Sequence, residues 1–544
     1  MSTTYDGIII GGGHNGLILS GYLSRAGLRI LLVEAQVEVG GGLDSHEDPV
    51  APGHWHNIHS VFHRGVSSLP WFKDLTLADY GVEYVVPDVG VTMALPDGSS
   101  LTWYTEPERT AASLAARSPG DARTFLDWCH RYQALAREVA VAEMYSPPVP
   151  AVEKQALLER FSTGREYLDF ARYSPVEVIC EHFRDDAIRA FLTFLIAMRG
   201  FEVDARGFGF FVPTMCATGV SPQLCRGSSH FLADTLQVAV THAGVDIIEA
   251  SAVTEILIQD GRACGVRLSR GEDVYAKHFI CSSLNPRLTF VDLIRAEEID
   301  PSIRTQASNF RFSSTTPIFA LNLALSEPPR YLAEAKNPDI ARSFMVIVGL
   351  WSLQQVLDLV EDTRAGKWPR HLFMNGACPS ILDPTQAPPG GQTAFMWQLA
   401  PYRLNGAPEH WDDIGSAFAD GVFAKWVEYA PNLARRGVVR NRLWASPLDI
   451  ERHDANMTEG DWMVGELTVE QAFDKRPLPG MGQYRTPIEG LYLCGSSSHP
   501  YGNITGGPGY NAAAVILEDL GLSPWWSPRP ISEQWRRLAE REGA

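Results

Sequence analysis

A glycine-rich turn between a short apolar run and a helical pattern constrains this chain more than any other feature. Tyr5 to Ile10 are mostly apolar and rich in isoleucine, which predicts a buried parallel strand. Gly11, Gly13 and Gly16 follow with the spacing G-x-G-x-x-G, ahead of a helical pattern. The first glycine allows a tight turn, the second lets a pyrophosphate approach the backbone, and the third lets helix and strand pack closely. The pattern therefore predicts a dinucleotide site at the amino end of the helix.

An acidic residue completes this predicted βαβ unit. Residues 29–33 read as a second strand, and Glu34 follows, 18 residues after Gly16. A carboxylate at this position can accept hydrogen bonds from both hydroxyls of a ribose. It favours an unphosphorylated adenosine ribose, as in FAD or NAD, over NADP. A glycine turn in an ordinary βαβ unit is the alternative, but the strand, helix and acid together favour dinucleotide binding.

The residues after Glu34 distinguish FAD from NAD. A triple glycine, Gly40-Gly41-Gly42, begins six residues later, where a NAD domain usually continues with an ordinary loop and helix. Glu34-Ala35-x4-Gly40-Gly41 resembles the second glycine signature of the glutathione-reductase-type FAD fold, found in amine oxidases and phytoene desaturases. FAD is therefore the predicted cofactor. No second G-x-G-x-x-G follows a strand, so we expect oxygen, a quinone or another carrier to accept the electrons.

A second glycine-rich segment lies near the carboxyl terminus. Residues 490–500 read as a strand running into a turn of small residues, and residues 505–514 open a helix. These segments resemble those of the phytoene desaturase-like (carotenoid desaturase-related) flavoproteins of the amine oxidase superfamily. So do residues 446–452, 465–468, 476–480 and 484–487. The resemblance implies an α/β fold in which a glutathione-reductase-type Rossmann FAD domain is interleaved with an α+β substrate domain.

The resemblance also implies which residues contact FAD. The family's contacts correspond here to Gly11, Gly13, Gly16, Glu34, Gly41, Val253, Gly495 and Gly507, and the expected set is completed by His14, Asn15, Gly42, Ser496 and Pro508. Two departures from the family pattern lie near the expected flavin. Tyr501 and Asn503 interrupt a loop that is usually all glycine, and Gly42 replaces the usual arginine or lysine. They suggest a substrate that is more polar, smaller or oxygenated than a polyene.

Two histidines and a tyrosine are the predicted catalytic residues. His499 and His59 are expected bases because imidazole titrates near neutral pH, and Tyr501 is expected to orient or protonate the substrate. A structural role is the alternative for His499. His59 belongs to a run of four histidines within ten residues, which invites a metal interpretation. No third convergent ligand or defined geometry is evident, so no metal site is predicted.

Three functions remain open at this point. The first is dehydrogenation of a largely apolar or cyclic small molecule, with a hydride passing to FAD and a new C=C bond forming. The second is a redox-neutral double-bond isomerisation that uses the same cofactor. The third is a flavin-binding interaction protein without turnover.

Charge and composition limit the partners. The net charge of −18 argues against nucleic acid and against electrostatic adsorption to anionic lipid. The eight cysteines form no C-x-x-C, which indicates buried thiols in a reducing compartment. With no secretory signal, a cytoplasmic protein is expected. The apolar residues 190–211 leave an interdomain core, a substrate tunnel and peripheral membrane contact open, and the sequence does not indicate an oligomeric state.

The chain is long enough for two interleaved domains. We expect the FAD domain to comprise residues 1–70, 216–290 and 430–522. The substrate or cap domain is expected to comprise residues 71–215 and 291–429. Residues 523–544 read as a docking tail with a final helix.

Overall fold

Two seven-stranded sheets organise the protein, whose computed structural model describes residues 4–543. The strands are β1 Tyr5–Ile10, β2 Ile30–Val33, β3 Ser45–Glu47, β4 Trp55–Asn57, β5 His63–Arg64, β6 Tyr84–Val85, β7 Val89–Ala94, β8 Ser100–Tyr104, β9 Pro222–Cys225, β10 Asp246–Ile248, β11 Val253–Gln259, β12 Arg262–Leu268, β13 Asp273–Ser282, β14 Ile318–Leu325, β15 Met345–Val348, β16 Met374–Ala377, β17 Gln392–Leu399, β18 Val439–Ala445 and β19 Leu491–Leu493. The mixed α/β class with a Rossmann-type sheet confirms the predicted fold class.

Helices cover both sheets and fill the region between them. They are α1 His14–Arg25, α2 Pro70–Asp74, α3 Pro107–Ala115, α4 Pro119–Arg131, α5 Gln133–Leu135, α6 Ala151–Leu158, α7 Ser162–Ala171, α8 Pro175–His182, α9 Asp186–Ala197, α10 Phe211–Thr218, α11 His230–His242, α12 Pro301–Ser308, α13 Leu353–Arg364, α14 Pro379–Leu382, α15 His410–Tyr429, α16 Pro447–His453, α17 Gly507–Asp519 and α18 Ile531–Gly543.

The first sheet joins the two ends of the chain. Strands β10, β2, β1, β13 and β19 lie side by side and parallel, while β11 and β12 extend from β13 as an antiparallel meander. In this register Ile10 lies beside Ser282, which lies beside Leu493. The carboxyl ends of these strands therefore meet at one edge, where open parallel sheets bind their ligands.

Glycines allow close packing at that edge. A Cβ on Gly16 would lie 2.2 Å from the carbonyl oxygen of Gly11, so α1 can follow β1 only if residue 16 lacks a side chain. A Cβ on Gly509 would lie 2.3 Å from the carbonyl oxygen of Asn15. Helices α1 and α17 consequently cross with their backbones in contact.

Asp260 and Gly261 form a tight hairpin turn within this first sheet. The two residues join β11 to β12 with φ values of +50° and +80°. Positive φ at both central positions is typical of the type I′ turn, whose twist matches that of the flanking strands.

The second sheet has the order β18-β14-β17-β16-β15-β7-β8, and only its β15–β7 pair is parallel. Every residue of β14 is buried, because its two faces pack into different apolar clusters. Strand β18 pairs with β14 along most of its length. Residues 439–445, which fall inside the range expected for the FAD domain, thus pair with the second sheet.

The most apolar part of the chain forms α9 and the turns that follow it. Residues 190–197 are all buried, and Phe194 packs edge-on against Phe373 with ring centroids 5.2 Å apart. This helix belongs to the core. Phe201 and Phe211, later in the same tract, instead line an internal cavity. Within residues 4–543, no helix combines the length and apolarity needed to cross a membrane.

The carboxyl-terminal tail packs against α1 and against the largest apolar cluster. The indole N–H of Trp525 donates to the carbonyl of Tyr22 in α1, at 3.0 Å. Further on, Trp535 in α18 is fully buried in the largest apolar cluster, and its indole N–H donates to the carbonyl of Glu138 at 3.0 Å. The tail therefore contributes to the core.

The docking of α18 gives a stability prediction. Trp535→Ala removes a fully buried indole and should cost about 3–5 kcal/mol, which lowers the Tm of the purified protein by several degrees. Trp351→Ala is the matched control, because Trp351 is 45% exposed, and it should cost less than about 1 kcal/mol. Equal shifts in Tm for the two variants would show that α18 does not support the core.

Candidate active site

One continuous cavity of about 940 Å³ runs from the edge of the first sheet to the face of the second. Gly13 and Glu34 line it at the first sheet, and Ile318 and Trp397 line it at the second. Aromatic side chains and backbone from residues 59–66 and 198–223 form much of the wall between them. The cavity therefore has a nucleotide end at the first sheet and an apolar end at the second sheet.

Two glycines keep the backbone open at the nucleotide end. A Cβ on Gly13 would meet no atom within 4 Å, so the space in front of this residue is free. Gly41 has a φ of +56°, and a Cβ there would lie 3.2 Å from the Cα of Gly13. The loop after β2 thus crosses directly over the turn after β1.

Glu34 is fixed at the same end by two backbone donors. Its carboxylate accepts from the Gly12 N–H at 2.7 Å and from the Gln36 N–H at 2.8 Å. Burial raises the pKa of Glu34, an effect that these two hydrogen bonds oppose. A carboxylate has about four acceptor positions, so Glu34 retains capacity toward the cavity that it lines.

Ten of the thirteen predicted cofactor residues line the cavity: Gly11, Gly13, His14, Asn15, Gly16, Glu34, Gly41, Gly42, Val253 and Ser496. The other three lie behind its wall. A Cβ on Gly495 would lie 2.0 Å from the carbonyl oxygen of Ser283, and one on Gly507 would lie 2.7 Å from Pro500. Pro508 is buried in the first turn of α17. These three positions allow close packing and do not face the cavity.

Several buried polar atoms on the cavity wall have no hydrogen-bond partner among residues 4–543. They include Nε2 of His14, Oδ1 of Asn15 and both ring nitrogens of His59. Buried polar groups are normally paired, so such atoms indicate where a ligand binds. With the open glycine backbone and the oriented Glu34, they fit a bound FAD.

The predicted catalytic residues occupy two different places. His59 and Tyr501 line the cavity, and burial lowers the pKa of His59 to about 4 and raises that of Tyr501 to about 12. His499 does not line it: its Nε2 lies 3.0 Å from the carbonyl oxygen of Glu143, beside a small separate void. The structure thus places His499 among packing contacts, whereas His59 faces the cavity.

The other three histidines of the run have protein partners. Nδ1 of His54 lies 2.9 Å from the Ala51 carbonyl oxygen, and Nε2 of His56 lies 3.0 Å from the Asp48 carboxylate. His63 is held between the hydroxyls of Tyr84 and Ser229, at 2.9 and 3.0 Å. These contacts give His54, His56 and His63 structural roles.

A compact group of ligand-type side chains lies on the cavity wall near the nucleotide end. Asp44 is 2.9 Å from Nε2 of His46 and 2.7 Å from Nε2 of His453. The two imidazoles lower the pKa of Asp44, and the carboxylate raises that of His453. These atoms could approach a metal ion, but direct ion pairing accounts for the arrangement.

Two arginines of the cavity wall, Arg64 and Arg199, were not predicted from the sequence. Arg64 directly follows the histidine run, and Arg199 interrupts the most apolar tract of the chain. A single charge within an apolar tract is a signal that could have identified Arg199, because burying an unpaired charge is costly.

Comparison with known proteins agrees with this geometry. Residues 9–75 match the model of an NAD(P)-binding Rossmann-like domain. One of the subunits of limonene dehydrogenase from Castellaniella defragrans is 30% identical over 537 residues, which cover 96% of each chain. The neurosporene-forming phytoene desaturase of Cereibacter sphaeroides is 22% identical, over 98% of this chain and 96% of the relative.

Two further matches bear on function and fold. Prolycopene isomerase 1 of an Oncidium hybrid cultivar is 25% identical, but over only 54% of this chain and 51% of the relative. Among solved structures, cyclohexylamine oxidase from Brevibacterium oxydans superposes with a TM-score of 0.57 at 15% identity, covering 95% of this chain and 100% of that one. At this identity the superposition shows the fold alone. The chain belongs to the phytoene desaturase-like family of FAD-dependent oxidoreductases.

Proposed function

We propose that this protein catalyses the FAD-dependent dehydrogenation of a largely apolar or cyclic small molecule, forming a C=C bond. The continuous cavity carries the proposal, because it connects the glycine-lined nucleotide end to a pocket walled by Phe201, Phe211 and Trp397. Apolar pockets with a few placed polar groups are typical of small-molecule sites. The similarity to the limonene dehydrogenase chain, which extends over nearly the whole length, supports a cyclic, apolar substrate.

Roles for the nucleotide end follow from its geometry. We assign the pyrophosphate to the open backbone around Gly13 and to the amino end of α1, where N–H groups and the helix dipole favour anions. Glu34 is assigned to the hydroxyls of the adenosine ribose, and Val253, at the start of β11, to the adenine. Asn15 donates to the Ser496 hydroxyl at 3.2 Å and so links the two glycine-rich segments at the cofactor.

The chemistry is divided between the cofactor and the chain. Bound FAD supplies the hydride acceptor. The substrate gives up a hydride from one carbon and a proton from the neighbouring carbon, whose C–H electron pair becomes the new π bond. We assign His59 as the base that accepts this proton, because His59 lines the cavity, has two unpartnered ring nitrogens and is neutral at pH 7. Tyr501 is assigned to orienting the substrate through its hydroxyl.

The electrons are proposed to pass to oxygen or a quinone. Within the described residues the first sheet carries one dinucleotide-type turn, which is assigned to FAD and so is not available to NAD(P)H. A reducing, cytoplasmic setting is consistent with the eight free thiols found there.

Anaerobic mixing of the purified flavoprotein with cyclic and acyclic terpenoids tests the proposed reaction. A substrate should bleach the flavin, and its product should contain two hydrogens fewer. The colour should return on admission of oxygen or of a soluble quinone. A product of unchanged mass would favour the isomerase alternative, which the half-length match to a prolycopene isomerase supports only weakly. Flavin that no compound bleaches or converts would favour a non-catalytic binding protein.

Replacing Glu34 tests the nucleotide end. Glu34→Gln replaces a charged hydrogen-bond acceptor by a neutral one. Because the hydrogen bonds from the ribose hydroxyls are then weaker, FAD affinity should fall about 10- to 100-fold. Equilibrium dialysis of the reconstituted protein measures this change. Glu38→Gln is the matched control, because Glu38 lines the same end with a side chain that is 72% exposed. FAD affinities that are equal in the two variants would contradict the assignment.

Replacing His59 tests the base. His59→Gln should lower kcat by about 10²- to 10⁴-fold while FAD content stays unchanged. His130→Gln, at an exposed position in α4, should have no effect.

The pH dependence supplies a second measurement on His59. Burial places the pKa of this base at about 4, so the wild-type kcat/KM should be flat down to about pH 5 and fall as protonation begins below it. A fall centred near about pH 6.5, the ordinary histidine value, would contradict the assignment of a buried His59 as the base.

A further inference from the structure

Two arginines face the cavity without a carboxylate partner. Arg64, at the end of β5, and Arg199, just beyond α9, both line it. Within the part of the chain that the structure describes, neither side chain lies within ion-pair distance of an acid. Arg199 has one protein partner, the carbonyl oxygen of Gly219 at 3.1 Å. A guanidinium has five N–H donors, so most of this hydrogen-bonding capacity is unused.

The two guanidinium groups lie near each other because both rest on the same segment. Arg64 pairs with Pro222 across β5 and β9, and the N–H of Gly65 donates to the Ser221 carbonyl at 3.0 Å. Arg199 contacts Gly219, only three residues before Pro222. Residues 218–223 line the cavity as well. The segment therefore presents both arginines to the same part of the cavity.

Another arginine, which is fully buried, provides a contrast within the same molecule. Arg476 is fully buried, and its guanidinium donates to backbone carbonyls of residues 463–466, 471, 496 and 498. Its donors are satisfied by the protein, which is the pattern of a structural arginine. Within the described residues Arg64 has no such carbonyl partner and Arg199 has one, so the fold does not explain why these two side chains are charged.

The charges of this pair persist at neutral pH. Burial and the charge of Arg199 lower the pKa of Arg64 to about 9, and burial lowers that of Arg199 to about 10. Both groups remain protonated at pH 7. Two half-buried cations without a counter-ion are unfavourable, and a bound anion would relieve that cost.

Tyr501 completes the group. Tyr501 lines the same cavity, its hydroxyl donates only a weak hydrogen bond, to Met144 Sδ at 3.6 Å, and its charged form would interact with both arginines. Burial raises its pKa to about 12, so it remains a hydrogen-bond donor. Phe201 and Phe211 pack edge-on against its ring, with centroids 5.3 and 6.5 Å away. Cationic and hydroxyl donors thus lie directly beside an apolar wall.

We propose that Arg64, Arg199 and Tyr501 form a carboxylate-binding subsite, and that the substrate is an apolar molecule that carries a carboxylate. The planar guanidinium matches a carboxylate with two parallel hydrogen bonds, and Tyr501 adds a third donor. The hydrocarbon part then lies along Phe201 and Phe211. This inference rests on the proposed function, since it specifies the substrate class of the same cavity.

Calorimetric titration of the purified flavoprotein tests the subsite without requiring turnover. The probes are cyclohexanecarboxylate and cyclohexanemethanol, which share a ring and differ in charge. The carboxylate should bind at least about 10-fold more tightly than the alcohol, because hydrogen bonds to a charged group are stronger than those to a neutral one. Arg64→Gln and Arg199→Gln should each weaken carboxylate binding about 10-fold or more and leave alcohol binding unchanged.

Further variants keep the test decisive if a glutamine variant does not fold. Arg64→Lys and Arg199→Lys keep the charge and lose the planar fork, so an intermediate loss of affinity is expected. Tyr501→Phe should weaken carboxylate binding about 10-fold, the effect of losing one hydrogen bond to a charged acceptor. Arg137→Gln is the control, because Arg137 is 71% exposed and paired with Glu138, and it should change neither affinity.

Two outcomes would overturn the proposal. The first is equal affinity for the two probes. The second is a change in FAD retention or flavin absorbance in the arginine variants with unchanged carboxylate affinity, which would assign the arginines to the cofactor. Carboxylate binding without oxidation of any compound would contradict only the dehydrogenase proposal. Oxidation of uncharged terpenoids by a protein that does not bind carboxylates would contradict only the subsite.

Discussion

The pairing of β13 with β1 on one side and β19 on the other is the contact on which the rest of the structure depends. It places Ile10, Ser282 and Leu493 in one row, although they come from the beginning, middle and end of the chain. Because parallel strands share their carboxyl edge, the glycine-rich turns after β1 and β19 converge there. Without this pairing Asn15 and Ser496 could not meet, and the nucleotide end of the cavity would have only one wall.

The second sheet determines what else the cavity can hold. Strands β14 and β17 contribute Ile318 and Trp397 to its far end, where the wall is mainly apolar. The charged groups are divided: carboxylates such as Glu34 and Asp44 lie toward the first sheet, and the two free guanidinium groups lie beside the 218–223 segment. A molecule with a negative end and a hydrocarbon body therefore has a preferred orientation before any chemistry begins.

Features that depend on residues close together in the chain were predictable from the sequence. The G-x-G-x-x-G spacing and Glu34 belong to one local βαβ unit, and the structure has this predicted unit. Features that depend on distant contacts were less predictable. The pairing of β18 with β14 and the position of His499 behind the cavity wall follow from tertiary packing. The arginine pair was missed because its members are 135 positions apart in sequence.

The order of the strands along the chain also determines how long synthesis takes to complete the nucleotide site. The glycine turn after β1 is among the first parts to be synthesised, but β19 begins only at residue 491. At about 5–20 residues per second, the early half of the nucleotide site waits roughly 25–100 s for its second wall. During that interval the apolar edge of β13 that later pairs with β19 is uncovered. We therefore expect nascent chains to pass through a long period in which this unpaired strand edge is open to aggregation.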